Sequence, residues 1–398
     1  MKQTVVWIGA LIVGALLGLL RAEWLGLAAN FVATVYTRLF QLLAVPTIAL
    51  AVTTTLASLG RQQAARRIFG QTLGYTLLTT VVAAAVGLLL YVVIQPGNIP
   101  ADVLAGQEAS PMGGGLEGTT YRDHILSVVP NNMVQPFLSG NVLSILIIAF
   151  AVGLGLARLE ESQPKTAVIN LLLGLQQLLF LLIRWLIWTL PLGIVAFAAQ
   201  LSSQLSAGVA LDSIGKYVAV ILAGNLVQFF VVLPMLLLLR GLNPVRVLGA
   251  MMPAVLMALF TKSSAATLPV TIDSAEQRLG VSSRVARFVL PICTTINMNG
   301  CAAFILVTSL FVMQNGGIGL SWTTMLLWLL VSVVAAVGNA GVPMGCFFLT
   351  LSLMSGIGAP IAVLGIILPI YTIIDMIETA ENVWSDSCVA AAVEKDMT

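Results

Sequence analysis

Charged side chains and histidine are scarce in this chain. Lysine, arginine, aspartate and glutamate make up 9% of the 398 residues, and there is one histidine. A single histidine cannot form the H-E-x-x-H pattern of zinc-dependent hydrolases, and none lies near the paired acids that acid/base catalysis would need. The basic residues are scattered and the net charge is +2, so nothing indicates a nucleic-acid-binding surface. We therefore expect neither an enzyme nor a nucleic-acid partner.

The cysteines and the histidine also lack the spacing of metal-ligand motifs. The four cysteines, Cys293, Cys301, Cys346 and Cys388, lie in or beside apolar segments, where a free cysteine behaves as a small apolar side chain. We predict four buried thiols. The lone His124 has no second ligand near it in the sequence and is expected to be a solvated loop residue.

Apolar residues, in contrast, are in large excess. They account for 59% of the chain, and the mean hydropathy of +1.03 exceeds what the core of a soluble protein requires. A membrane-spanning helix needs roughly 20 apolar residues. Long apolar runs recur at 5–20, 43–56, 72–94, 142–156, 168–199, 217–239, 288–312, 325–337 and 357–374. The composition predicts a helical, multi-pass membrane protein surrounded by lipid.

The basic residues indicate an orientation. They fall on one side of the membrane if both termini and the alternate loops are cytoplasmic, which leaves an acidic, glycine-containing loop at 95–136 outside. By the positive-inside rule, we predict a protein of the cell inner (plasma) membrane with both termini in the cytoplasm.

Polar or glycine-rich residues interrupt the second half of the chain at three places. FTKSSAATLP (260–269) and GNAGVPMG (338–345) each break an apolar segment, and CTTINMNGC (293–301) lies between them. Non-helical backbone at membrane depth survives only where it is buried in protein or lines a cavity. We predict two re-entrant hairpins, one entering from each side, and a locally unwound helix around Asn297 and Gly300.

Four carboxylates lie close together in IDMIETAENVWSDS (374–387). On a helix, the residues at steps of four, three and four share one face: Asp375, Thr379, Asn382 and Asp386. Glu378 lies beside this face, whereas Glu381 points away from it. A charge in the membrane normally faces a partner or a water-filled path, and carboxylate, amide and hydroxyl oxygens are the ligands of hard cations. The pattern predicts a combined solute and cation site, with Lys262 as a buried positive charge that would pair with Glu378.

Four motifs together resemble the dicarboxylate/amino acid:cation symporters, the glutamate-transporter family: TKSSAATLPVT, TINMNG, GNAGVP and DMIETAENVWSD. The resemblance implies an all-α membrane protein with eight transmembrane helices and two re-entrant helical hairpins, the elevator fold of this family. It implies a homotrimer in which a transport domain (about 70–94 and 211–398) moves against a scaffold (about 1–69 and 137–210), all within one transporter unit.

The resemblance also implies a set of site residues. The expected substrate ligands are Ser263, Ser264, Val337, Gly338, Ala340, Gly341, Asp375, Glu378, Thr379 and Asn382. The expected sodium ligands are Cys293, Asn297, Asn382 and Asp386 for one ion, Thr295, Ala336, Val337 and Asn339 for a second, and Thr79, Thr80, Asn297 and Asn299 for a third.

Two departures from the family pattern bear on function. Asn299 replaces the aspartate of the family's NMDG motif, so we expect fewer than three coupled Na⁺. Glu378 stands where members with acidic substrates carry an arginine, and it would repel glutamate or aspartate. The D-x-x-E-T-x-x-N-x-x-x-D pattern resembles the serine/threonine:sodium branch, which predicts symport of a neutral amino acid. Cationic, dibasic or cystine-like substrates and proton coupling remain alternatives, and an ion channel is a weaker one.

Overall fold

The protein is described by a computed structural model covering residues 2–20, 22–59, 66–99, 129–139, 142–204, 209–337, 339 and 344–397. Every regular element in these ranges is helical, as the sequence predicts. The helices are α1 Lys2–Leu19, α2 Glu23–Leu59, α3 Arg66–Ile94, α4 Gln135–Ser139, α5 Val142–Arg158, α6 Gln163–Gln204, α7 Val209–Val227, α8 Leu233–Leu239, α9 Pro244–Thr261, α10 Ser264–Asp273, α11 Ser283–Ile296, α12 Asn299–Asn315, α13 Trp322–Val337, α14 Gly345–Gly356 and α15 Ala362–Met397. Short π-helical stretches, Gln228–Val232 and Ser274–Leu279, follow α7 and α10.

Several of these helices are long and apolar enough to cross a membrane. Within the described ranges four spans meet this condition: Arg67–Ile94, Asp212–Leu239, Pro244–Thr261 and Ser283–Asn315. A fifth candidate is formed by Ala362–Leu368 and Ile370–Met397, which meet at 70°. The chain is therefore a membrane protein by length and composition of its helices.

The helices pack in two groups. In the first, α1 and α2 lie along α6, and α5 lies along α2. In the second, α12 packs against α3, α13, α14 and α15, while α15 also contacts α9 and α11. The two groups meet where α14 packs on α2 and α15 on α6.

The second group surrounds a fully enclosed helix. All residues of α12 from Asn299 to Met313 are buried. This burial on every side agrees with the sequence of the helix, which has no polar face. In the first group, large apolar side chains remain exposed, among them Trp24 (70%), Phe31 (71%) and Trp188 (80%). Such a surface is stable against lipid or another apolar surface, not against water. The polar residues of interest lie around α12, in the second group.

The structure confirms the predicted interruptions at 260–269 and 293–301, and described helices end and begin on either side of the third. Helix α9 begins at the Asn243 cap, whose Oδ1 accepts hydrogen bonds from the Val245 and Arg246 amides, and ends at Thr261. Lys262 then adopts a left-handed conformation (φ 54°) before α10 starts. Helix α13 ends at Val337 and α14 begins at Gly345. Helix α11 ends at Ile296 and α12 begins at Asn299.

Some predictions concern residues outside the described ranges. These are the solvated state of His124, most of the loop 95–136, and the substrate contacts expected of Gly338, Ala340 and Gly341.

Candidate functional site

A small cavity lies where the interrupted segments meet the last helix. It is lined by Lys262, Ser264, Met298, Cys301, Asn339, Cys346, Asp375, Glu378, Thr379 and Asn382. The lining residues come from all three interruptions and from α15. The structure thus brings together six of the expected substrate or cation ligands, from α15 and from the first and second interruptions, with Lys262 beside them.

Asp375 is held by groups from three elements. Its Oδ2 accepts a hydrogen bond from the Met344 backbone amide at 3.2 Å, just before α14 begins. Its Oδ1 accepts one from the Tyr371 hydroxyl at 3.3 Å. The ammonium of Lys262, at the start of the first interruption, attracts the same carboxylate. Asp375 therefore links the two interrupted segments across the last helix.

Glu378 shares the cavity with Asp375 and repels it. The Tyr371 hydroxyl also lies 3.3 Å from Glu378 Oε2, so one phenol bridges both carboxylates. In the described part of the chain, Glu378 Oε1 is buried without a hydrogen-bond partner. The Lys262 ammonium interacts electrostatically with Asp375, and its pairing with Glu378 stays a prediction. Glu378 is left as a carboxylate facing the cavity.

Gly300 sets how close α12 comes to Glu378. A Cβ atom at this glycine would lie 3.0 Å from both Cα and Cβ of Glu378 and 3.1 Å from its Cγ. The missing side chain lets the N-terminal turn of α12 approach α15. The backbone N–H of Gly300 donates a hydrogen bond to Asn382 Oδ1 at 3.0 Å. This bond holds the Asn382 side chain, which faces the cavity.

The hydroxyl residues expected at the substrate site divide into two kinds. Thr379 lines the cavity and donates its proton to the Asp375 carbonyl at 2.7 Å, which leaves its oxygen able to accept a hydrogen bond. Ser264 also lines the cavity. Ser263 instead caps α10, since its Oγ accepts from the Ala266 amide at 3.2 Å.

A second polar cluster lies next to the cavity and is fully buried. Asn297 Nδ2 donates to Asp386 Oδ1 and to Ser385 Oγ, both at 2.9 Å. Asn297 Oδ1 accepts from the Thr79 hydroxyl of α3 at 3.1 Å. The unwound stretch between α11 and α12, the last helix and α3 thus place a carboxylate, an amide and two hydroxyl groups together. Oxygen donors of this kind suit Na⁺.

The cluster continues through Asn299. Its Oδ1 accepts from the Thr80 hydroxyl at 2.9 Å, and its Nδ2 donates to Ser385 Oγ at 2.7 Å. Both functional groups of the amide are therefore satisfied without an aspartate. The substitution in the family motif gives a neutral network where a carboxylate would supply a charge.

The remaining expected cation ligands have local partners. The carbonyl of Cys293 accepts from the Asn297 amide at 2.8 Å, and the carbonyl of Ala336 accepts from the Asn339 amide at 3.0 Å. The Thr295 hydroxyl donates to the Ile292 carbonyl of its own helix. Val337 is the last residue of α13.

The prediction of four buried thiols is wrong for two cysteines. Cys301 and Cys346 form a disulfide, whereas Cys293 and Cys388 are free and buried. The pair is 45 residues apart in sequence, and only the packing of α14 on α12 brings it together. Spacing along the chain gave no indication of it.

Sequence reasoning also missed two bridging residues. Tyr371 lies four residues before Asp375, so the helical period was a usable signal for it. Ser385 accepts hydrogen bonds from both Asn297 and Asn299, and no pattern in the sequence marks it. Glu381 points away from the cavity, as expected, but it is buried, and neither carboxylate oxygen has a hydrogen-bond partner among the described residues.

Comparison with known proteins decides the family. A model of the sodium:dicarboxylate symporter family matches residues 4–396. The chain belongs to this family. The resemblance inferred from the four motifs is confirmed, and the protein is a transporter rather than an enzyme.

Individual relatives are 27–29% identical to this symporter. A Caenorhabditis elegans protein named as a sodium-dependent excitatory amino acid transporter, glt-4, is 29% identical over 92% of this chain and 82% of its own length. Neutral amino acid transporter B(0) of Oryctolagus cuniculus is 27% identical over 90% of this chain and 71% of its own. Neutral amino acid transporter A of Homo sapiens is 28% identical over 81% and 67%. The names of these relatives cover both excitatory and neutral amino acids.

Proposed function

We propose that this protein is a secondary active symporter that imports a neutral amino acid, of serine or threonine type, together with Na⁺. The observation that carries the proposal is Glu378, a buried carboxylate on the cavity wall at the position where acidic-substrate members of the family place an arginine. The names of the neutral amino acid transporters among the relatives support the same choice.

The charges around the cavity favour a neutral substrate with a cation. Asp375 and Glu378 against Lys262 leave one net negative charge when all three are ionised. The side-chain carboxylate of glutamate or aspartate would meet repulsion of about 3 kcal/mol at 5 Å and an effective dielectric constant of 20. A zwitterionic neutral amino acid adds no net charge, and one Na⁺ offsets the remaining negative charge. Thr379, Asn382 and Ser264 are the groups that would bind its ammonium, carboxylate or hydroxyl group.

The cavity also keeps a second substrate class open. Glu378 Oε1 is buried without a hydrogen-bond partner in the described part of the chain, and leaving a charged acceptor unsatisfied is costly. A substrate that donates to this oxygen would remove the cost. The hydroxyl of serine or threonine can do so, and so can the ammonium of a cationic, dibasic or cystine-like amino acid.

We propose that sodium binds at the adjacent cluster. Asp386, Asn297 and Ser385 would hold one ion, and Thr79 and Thr80 with Asn299 a weaker one, because Asn299 carries no charge. Carbonyls of Ala336, Val337 and Cys293 would complete the coordination once the local hydrogen bonds rearrange. We infer coupling to fewer than three Na⁺.

Transport would follow the elevator scheme of the family. In it, the eight transmembrane helices and two hairpins of each copy divide between a moving domain, residues 70–94 and 211–398, and a trimeric scaffold, residues 1–69 and 137–210, with both termini cytoplasmic. The contact between Met344 and Asp375 supports a role for the second interrupted segment as the gate over the substrate. The exposed apolar side chains of α1, α2 and α6 suit a scaffold that meets lipid and neighbouring copies.

Uptake into proteoliposomes tests the proposal. Radiolabelled serine or threonine should accumulate under an inward Na⁺ gradient, and collapse of that gradient by a Na⁺ ionophore should abolish it. Aspartate and glutamate should not accumulate, while lysine and cystine in parallel assays test the second substrate class. Uptake that follows a pH gradient without Na⁺ would show proton coupling. Uptake indifferent to both gradients, or an ionic current unchanged without amino acid, would refute symport.

A further inference from the structure

Three side chains of metal-ligating type meet on the wall of the cavity. Among the residues that the structure describes, Cys301, Cys346 and Glu378 form the one group of His, Cys, Asp or Glu side chains whose ligand atoms all lie within 4.8 Å of one another. All three are buried and line the cavity. Cys301 lies in the first turn of α12, Cys346 in the first turn of α14, and Glu378 on α15. The packing of three helices therefore assembles the group.

Glu378 contributes an unused acceptor. Its Oε1 is buried without a hydrogen-bond partner in the described part of the chain, while the Tyr371 hydroxyl lies 3.3 Å from Oε2. A buried carboxylate oxygen with neither a donor nor a cation is costly. A cation held by this carboxylate and the two sulfurs would remove that cost.

The two cysteines can serve as ligands only in their reduced form, because the structure joins them in a disulfide. A low-molecular-weight dithiol cleaves this bond by thiol–disulfide exchange. The dithiol becomes a disulfide, and its two hydrogens pass to the sulfurs of Cys301 and Cys346. A divalent cation then forms two metal–sulfur bonds, and the two thiol protons leave to water.

The spacing of the group suits a tetrahedral metal site. From Zn–S distances of about 2.3 Å and Zn–O distances of about 2.0–2.2 Å, ligand atoms around zinc lie roughly 3.5–4 Å apart. Because the three ligand atoms are already within 4.8 Å of one another, rotation of the reduced side chains is enough to reach this geometry. Three protein ligands leave the fourth position to water.

The neighbouring groups favour a soft cation. Asn339 Nδ2 donates to Cys301 Sγ at 2.8 Å and to Cys346 Sγ at 3.3 Å, and N–H donors of this kind stabilise the charge of a metal-bound thiolate. The Met298 thioether lines the same cavity, with its sulfur 4.0 Å from Asn339 Nδ2. Thiolates and thioethers select zinc and softer cations, whereas Mg²⁺ and Ca²⁺ prefer oxygen ligands.

We propose that reduced Cys301 and Cys346, together with Glu378, bind one thiophilic divalent cation such as Zn²⁺, and that this cation excludes the amino acid from the cavity. The site is separate from the cluster of Asn297 and Asp386 proposed for sodium. The exclusion rests on the proposed function, because it assumes that the amino acid occupies this cavity. Binding of the cation does not depend on that assumption.

Absorption spectroscopy with Co²⁺ tests the metal site. The full chain in detergent is reduced with dithiothreitol, freed of reductant without air and titrated with Co²⁺, which shows sulfur-to-metal charge-transfer absorption when thiolates bind it. One Co²⁺ per chain should produce this band, and Zn²⁺ should displace it. The disulfide-bonded protein is a control of identical sequence and should show no band. Thiol counting in denaturant verifies the two forms, with four thiols in the reduced protein and two in the disulfide-bonded one.

Variants separate the three ligands from the other cysteines. Loss of an outer-shell partner costs a metal site roughly 10–100-fold in affinity, so Cys301→Ser and Cys346→Ser should each weaken Zn²⁺ binding by at least as much. Glu378→Gln should weaken it about tenfold and keep the thiolate band. Cys388→Ser should bind like the wild type, because Cys388 lies outside the group. Thermal unfolding of each reduced variant without metal controls for misfolding. Absence of the band in the reduced wild type, or a band of unchanged intensity and affinity in both Cys→Ser variants, would overturn the site.

Competition with serine tests the exclusion. In proteoliposomes, Zn²⁺ should inhibit serine uptake by the reduced protein, more serine should relieve the inhibition, and a chelator should restore uptake. The disulfide-bonded protein should be insensitive to the same Zn²⁺ concentration. Zn²⁺ that binds the reduced protein but leaves serine uptake unchanged would overturn the exclusion. If the protein transports none of the amino acids tested, the proposed function fails, whereas the Co²⁺ spectrum still decides the metal site.

Discussion

Glu378 is the residue whose replacement should change the substrate most. The Tyr371 hydroxyl lies 3.3 Å from a carboxylate oxygen of Glu378 and 3.3 Å from one of Asp375. For a ligand carboxylate bound in this cavity we take a separation of about 5 Å from Glu378. At an effective dielectric constant near 20, that separation corresponds to repulsion of about 3 kcal/mol, or roughly a hundredfold in affinity. Glu378→Gln removes this repulsion and keeps an acceptor for Tyr371. Glu378→Arg adds an attraction of similar size and a bidentate partner for a carboxylate.

The assay is competition of aspartate and serine for binding and uptake in proteoliposomes. Relative to serine, aspartate should gain roughly a hundredfold in Glu378→Gln and more in Glu378→Arg, where neutral uptake should fall. Thermal unfolding of both variants controls for misfolding. If both variants are folded and Na⁺-dependent but keep the wild-type ratio of aspartate to serine, Glu378 does not line the substrate pocket and the electrostatic argument is wrong.

Three further substitutions test the neighbouring contacts. Asp386→Asn should raise the Na⁺ concentration for half-maximal uptake by about tenfold or more, because it removes the charged acceptor bonded to Asn297; an unchanged Na⁺ curve would remove Asp386 from the cation site. Asn299→Asp should shift that curve to lower Na⁺ or steepen it, since it restores the carboxylate of the family motif, and Asn299→Ser is its uncharged control. Gly300→Ala should lower the free energy of unfolding by about 1–3 kcal/mol, because its Cβ would lie 3.0 Å from the Cα of Glu378; a thermal unfolding curve like that of the wild type would contradict this packing.

The sequence by itself determined the class of protein, the helix breaks and one face of the last helix. Excess apolar residues need lipid, whatever the packing. The breaks at 262–263 and 297–298 follow from local chemistry, because the sequence around them is rich in polar residues and glycine. The common face of Asp375, Thr379 and Asn382 follows from the period of a single helix. The family followed from four motifs in order.

Only the tertiary structure decided which groups from different elements meet. Lys262 is distant in sequence from Asp375, and its electrostatic interaction with that carboxylate depends on how the first interruption approaches α15. Cys301 and Cys346 were predicted as separate thiols, and the contact of α14 with α12 joins them. Ser385 bridges two asparagines only because the break between α11 and α12 faces the last helix. Contacts within one helix follow from its period, whereas contacts between helices depend on the packing of side chains from distant parts of the chain.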